Sequence, residues 1–168
     1  MLEILAPAGG EEQLKAAVNA GADAVYLGFG AFNARRNAKN FDFEGLRNAV
    51  KYCHGRGVKV HAALNTLVLE NELESALNDA KKAAEAGVDA VIVQDLGLAK
   101  MIHESIPALP MHASTQLTIH NKSGVLEAKR LGFSRVVLAR ELTLNEIKDI
   151  AQSTDIEIEV FIHGALCM

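Results

Sequence analysis

Several polar residues of this 168-residue chain follow short apolar runs, where strand ends would present them together. Asn65 and Thr66 come after VKVHAAL, Gln94 and Asp95 after AVIV, and His112, Ser114, Thr115 and Gln116 lie in and after MHA. Arg140 and Glu141 follow RVVLA, and His163 follows EVFI at the head of His-Gly-Ala-Leu-Cys-Met. A guanidinium matches carboxylate geometry bidentately, so Arg140, joined by Arg35, Arg36 and Lys39 of FNARRNAKNF, suits an anionic ligand. Asp95, His112 and His163 are the side chains that could move protons. Cys167 with His163 makes a nucleophile pair on paper, although four residues on a turn do not establish contact.

These residues need elements to position them. The segment AGADAVYLG at 20–28 recurs as AGVDAVIVQ at 86–94 and loosely as LGFSRVVLA at 131–139. Each has a Gly able to close a helix in the left-handed conformation, then a β-branched run, which is the helix-to-strand joint of an α/β unit. The pattern predicts strands near 2–6, 23–28, 58–64, 89–93, 110–113, 135–139 and 157–162. Helices are expected near 10–20, 43–55, 70–86, 96–105, 121–131 and 143–152. Strict βα alternation implies a parallel sheet, because parallel strands need a crossover and end up covered on both faces. LAPAGGEEQ lacks the G-x-G-x-x-G of a dinucleotide fold, whereas uniform units suit a TIM-type (β/α) barrel. The expected fold is therefore an α/β barrel of one domain, incomplete, with about seven strands and its last unit missing.

In a barrel the chemistry sits at the carboxyl ends of the strands, which is where the polar residues fall. Alternation along EIEVFIHG puts Ile158, Val160 and Ile162 toward helices, and Glu157, Glu159, Phe161 and His163 toward the lumen. A lumenal carboxylate needs a partner, so Glu159 should meet Arg140, Lys59 or a histidine. Strand three repeats the pattern with Lys59, His61 and Asn65. For His61, His112 and His163 a structural role, satisfied by backbone, stands beside a role in the site. Cys53 reads as a small buried hydrophobe. The sequence has no His-x-His pair for an amidohydrolase zinc on an early strand. Lys59 opens its strand, the wrong end for a Schiff base, and two Glu occupy the first helical turn where a phosphate would sit.

The net charge of -4 gives no basic stripe for a phosphate backbone. Two cysteines without a CxxC pair suit a reducing compartment, the cytoplasm. No apolar run approaches the ~18 residues that span a bilayer, so no membrane partner is expected.

LEILAPAGGEEQLKAAVNAGADAVYLG, FNARRNAKNF, GVKVHAALNTLV, AGVDAVIVQDLG, MHASTQLTIHN and RVVLARELTLNEI together resemble the amino-terminal domain of the collagenase-like peptidase family of unassigned catalytic type. EVFIHGALCM resembles the first half of that family's signature through Glu159, Phe161, Gly164, Ala165, Leu166 and Cys167. The resemblance implies one of two activities, proteolysis or the oxygen-independent hydroxylation of RNA or of the ubiquinone ring, with prephenate as hydroxyl donor in the RNA branches. It also implies a four-cysteine iron-sulfur cluster with Cys167 among its ligands. Since such a cluster needs about four thiolates, Cys53 and Cys167 cannot hold it alone, and none is expected in this fragment by itself. The expectation is an RNA base hydroxylase in the full-length form. Its pocket would be lined by Asn65, Gln94, Asp95, His112, Gln116, Arg140, Glu141, Glu159 and His163, with RNA and a small anionic donor as partners. The alternatives are a collagenase-like hydrolase and an inactive fragment that pairs with a second copy through its open barrel edge.

Overall fold

The structure, a computed structural model, describes residues 2–34 and 40–163. Strands and helices alternate strictly: β1 (Leu5–Ala8), α1 (Glu11–Asn19), β2 (Ala24–Gly28), α2 (Phe43–His54), β3 (Lys59–Leu64), α3 (Leu73–Ala86), β4 (Ala90–Val93). They continue with α4 (Leu96–Ser105), β5 (Met111–Ala113), α5 (Lys122–Arg130), β6 (Arg135–Val137), α6 (Leu144–Ser153) and β7 (Glu157–Glu159). The seven strands form one parallel sheet in sequence order from β1 to β7, curled into an incomplete α/β barrel. The repeated joints behave as expected: Gly21, Gly87 and Gly132 take φ of 90°, 87° and 92°, the left-handed conformation, and strands follow at once.

β1 lies three residues later than the sequence suggests at its start, and Pro7 falls inside it. Ile4 O accepts from Ala24 N, so Ile4, Ala6 and Ala8 bond toward β2 while Leu5 and Pro7 face the unpaired side. A proline, which has no N–H to donate, is tolerated there because no strand among the described residues would accept from that side. β7 is correspondingly shorter than expected, ending at Glu159, since among the described residues β6 alone pairs with it.

The alternation of each strand separates two environments. Leu27, Val60, Leu64, Val91, Met111 and Leu138 face the helices and share a core with Leu14, Leu46, Leu98 and Ile102. Cys53 is fully buried in the same layer, and burial pushes its thiol up to about 11. The opposite face of these strands lines the lumen, and there the apolar residues are mostly small: Ala24, Ala63, Ala90 and Ala139, with Ile92 and Val137. Large branched residues would ordinarily fill that space. Here polar side chains occupy it.

Candidate active site in the barrel lumen

The lumen is closed at the amino ends of the strands by ion pairs. Arg135, at the start of β6, donates from Nη1 to Glu3 Oε1 at 2.6 Å and from Nε to Glu157 Oε2 at 2.8 Å. Its Nη1 also meets Glu159 Oε2 at 3.3 Å, and Lys59 Nζ meets Glu3 Oε2 at 2.6 Å. Burial tends to raise Glu3, but its bonds to Arg135 and Lys59 prevail and hold it at about 2. For Glu159 burial prevails, and its carboxyl is raised despite Arg135. The expected partners of Glu159 were Arg140, Lys59 or a histidine. The partner is Arg135, because Glu159 lies at this closed end and not at the mouth where Arg140 sits.

Above the ion pairs, β3 and β5 bring His61 and His112 together edge to face, with ring centroids 4.7 Å apart. Their exposures are 1% and 5%, and both Nδ1 atoms are buried without a hydrogen-bond partner. Burial first, then Arg135, lowers His61 to about 4; burial, the neighbouring His61 and Arg135 lower His112 to about 2. Both rings are therefore neutral at ordinary pH. A side chain this hard to protonate is a poor base, so the proton-moving role expected of His112 does not suit its surroundings.

The mouth holds two adjoining clefts. One of about 280 Å³ is lined by Gln94, Gln116, Thr118, Arg140 and Glu141 among others. The other, about 210 Å³, is lined by Tyr26, Ala63, Asn65, Gln116, Arg140 and Phe161 among others. Thr115, Gln116 and Arg140 border both. Arg140 is positioned by what precedes it: Thr115 Oγ1 donates to Leu138 O at 3.2 Å, and Ala139 N donates to Ile119 O at 2.9 Å. Its guanidinium stacks on Phe161, with Cζ 3.9 Å from the ring centroid. Nε and Nη1 are buried and have no hydrogen-bond partner among the described residues. Leaving charged donors unmet is costly, and a guanidinium bordering two clefts has the planar geometry that matches a carboxylate or phosphate.

The remaining expected residues separate clearly. Asn65 is at the second cleft, its Oδ1 accepting from Ala34 N at 3.1 Å. Asp95 instead caps α4, accepting from Leu98 N at 2.8 Å and from Val68 N at 3.3 Å, so both oxygens serve backbone donors. This corrects its assignment as a proton carrier. His163 is exposed and has no hydrogen bond among the described residues. Arg35 and Cys167 lie outside the described residues. Sequence reasoning missed Arg135, Tyr26 and Thr118 and gave His61 no place in the pocket, although strand alternation points Arg135, Tyr26 and His61 inward. Among the described residues no three His, Cys, Asp or Glu are grouped to hold a metal, and Cys53 is sealed in the core. The described side chains alone thus do not hold a cluster.

The model for Peptidase family U32 matches residues 9–168. The chain belongs to peptidase family U32. Among its U32 relatives, the 23S rRNA 5-hydroxycytidine C2501 synthase of Escherichia coli is 42% identical over 99% of this chain and 25% of that protein. An uncharacterized protease of Methanocaldococcus jannaschii is 43% identical over 100% of the chain and 42% of its own length. The tRNA hydroxylation protein P of Escherichia coli is 38% identical over 99% of the chain and 37% of its own. The U32 chain thus spans between a quarter and about two fifths of these relatives. A U32 peptidase of known structure superposes with a TM-score of 0.75 at 16% identity, covering 95% of this chain and 68% of that one. A CutC protein of Streptococcus agalactiae superposes at 0.77 and 18%, covering 95% and 87%. At such identities they bear on the fold alone. No helix among the described residues is long and apolar enough to cross a membrane.

Proposed function

We propose that this U32 domain supplies the binding chamber for RNA base hydroxylation, holding a small anionic donor on Arg140 and a nucleobase among the amides of the mouth. The observation that carries the proposal is the unpartnered guanidinium edge of Arg140, buried at the border of two clefts. One charged receptor shared by two adjoining cavities suits a reaction that brings two ligands together. Gln94 and Gln116 offer donors and acceptors of the kind that a base edge requires. The names of two relatives, an rRNA hydroxycytidine synthase and a tRNA hydroxylation protein, support the substrate class. The iron-sulfur cluster and the prephenate donor remain parts of this proposal, the former through Cys167.

Peptide hydrolysis is the competing activity, in line with relatives named protease and collagenase. Among the described residues no serine or threonine hydroxyl bonds a histidine; Ser114 Oγ, beside His112, turns to Gln116 Oε1 at 3.4 Å. The test is nucleoside mass spectrometry of rRNA and tRNA from cells lacking the encoding gene, complemented with the wild type or Arg140→Gln. Hydroxylated pyrimidine should return with the wild type and stay at least tenfold lower with the variant. An unchanged nucleoside pool, with gelatin cleaved by the purified protein, would overturn the proposal.

A further inference from the structure

The net charge of -4 conceals a segregation. Residues 35–56 hold six of the 17 Lys and Arg but only two of the 21 Asp and Glu. Within that stretch α2 presents Arg47 and Lys51 to solvent, with Arg56 just past its end, and Glu44 is the helix's only acid. None of these three cations makes an ion pair among the described residues, whereas Lys15, Lys59, Lys129, Arg130 and Arg135 are each held by a carboxylate. α5 carries as many cations, but Asp155 and Glu127 occupy two of them. On α2 the cations also alternate with rings. Arg47 Cζ lies 5.9 Å from the Phe43 centroid. Arg56 Cζ lies 3.8 Å from that of Tyr52, and its Nη1 donates to Tyr52 O at 3.0 Å. A basic stripe was not expected from the net charge; one is present, diluted in the total by acids on other elements. Like charges four residues apart, as Arg47 and Lys51 are, destabilise a helix by themselves, so the pair calls for a counter-charge from outside the chain.

The helix starts at the rim of the candidate site. Phe41 N donates to Gly28 O at 3.2 Å, and Gly28 lines the smaller cleft. From that rim α2 returns the chain to the closed end, where Arg56 stands just ahead of β3. Arg47 and Lys51 share one helix face about 6 Å apart along the axis, a step comparable with that between neighbouring phosphates of an extended strand. We propose that the outer face of α2 is the track for single-stranded RNA flanking the target base, with Arg47 and Lys51 on neighbouring phosphates. Arg56, held over Tyr52, offers its guanidinium plane to an unpaired base. Cations alone would suit any polyanion, whereas cations interleaved with aromatic rings suit a strand whose bases are free to stack. The inference rests on the RNA-hydroxylation reading above and adds the surface that leads the strand to the clefts.

The experiment is fluorescence anisotropy of a short labelled pyrimidine oligoribonucleotide titrated with the 168-residue chain over a series of salt concentrations. The double variant Arg47→Ala, Lys51→Ala should bind at least about tenfold more weakly at low salt. Its plot of log affinity against log salt should be less steep by about 1.4, the share of two phosphate contacts on a single strand. The control pair Lys122→Ala, Lys148→Ala removes two exposed cations of α5 and α6 that also lack ion pairs among the described residues, and should change neither quantity. No binding by the wild type overturns the proposal, as does an α2 variant with unaltered affinity and slope, or a control pair that weakens binding as much. Polyglutamate that displaces the RNA as well as unlabelled RNA does would make the face a site for acidic chains in general and also overturns it. Hexanoate should bind the α2 variant as it binds the wild type, because Arg140 is untouched. If the α2 variant binds RNA normally while Arg140→Gln fails to restore hydroxylation in cells, the track falls and the chamber stands. If the α2 variant loses RNA while Arg140→Gln restores hydroxylation, the chamber falls and the track stands.

Discussion

On the helix side of the sheet, Leu27, Val60, Leu64, Val91, Met111 and Leu138 pack into a continuous apolar layer. On the lumen side the same strands carry Tyr26, His61, Ala63, Ile92, His112 and Arg135. The first face resembles any buried sheet, and its side chains are explained by each other. The second contains small residues, ion pairs, two neutral imidazoles and an unpartnered guanidinium, and only its lower part is explained by contacts within the chain. The lumen therefore divides again: at the amino ends of the strands Arg135 and Lys59 are paired with Glu3, Glu157 and Glu159, and toward the mouth Arg140 Nε and Nη1 have no hydrogen-bond partner among the described residues. The closed end ties β3, β6 and β7 to Glu3, and the open end carries the two clefts.

The sharpest way to break this division is at its base. Arg135→Ala would leave Glu3 and Glu159 facing each other without their common cation, and an uncompensated buried charge costs about 3 to 5 kcal/mol. Chemical denaturation should show that loss. A variant as stable as the wild type would mean that the closed end does not hold the sheet together. Next comes the helix-side layer, where Leu64→Ala removes a fully buried side chain and should cost about 3 kcal/mol in the same assay.

A smaller effect should appear with pH. His61 and His112 have folded values near 4 and 2, below the ordinary 6.5, so between those values the unfolded chain takes up protons that the folded one refuses. Their contribution is complete above about 6.5 and is lost as pH falls toward 4. Glu3, held at about 2, adds a further loss below 4.5. Denaturation midpoints measured from pH 8 downward should therefore begin to fall near 6.5. His61→Gln should flatten the upper part of that fall, and an unaltered profile in the variant would show that the ring is not kept neutral by the fold.

The fold was legible in the sequence to a large degree, because the repeated Gly-then-β-branched joints mark where each helix hands over to a strand. Gly21, Gly87 and Gly132 do what their positions imply. The strand ends at the two edges were less legible: Pro7 looks like a terminator unless one knows that among the described residues no strand pairs with β1 on that side. Toward the mouth, Asn65, Gln94, Gln116, Arg140 and Glu141, which follow strands in the sequence, all line the clefts. Position after a strand misled for Asp95, which also precedes a helix and is used as its cap. Arg135 was overlooked because its partners Glu3, Glu157 and Glu159 come from β7 and from the other end of the chain, and no local spacing announces a contact across a lumen.

The smallest effect on stability is expected where the effect on function is largest. Arg140→Gln gives up the stack on Phe161 but also removes a buried charge whose Nε and Nη1 have no partner among the described residues, so the two effects offset and stability should change by no more than about 0.5 kcal/mol. The most direct test is a titration of hexanoate into wild type and Arg140→Gln beside a thermal melt of each. The predicted result is at least tenfold weaker binding by the variant at an unchanged melting temperature. Equal binding by both proteins, or a melting temperature that falls as far as that of Arg135→Ala, would contradict the account.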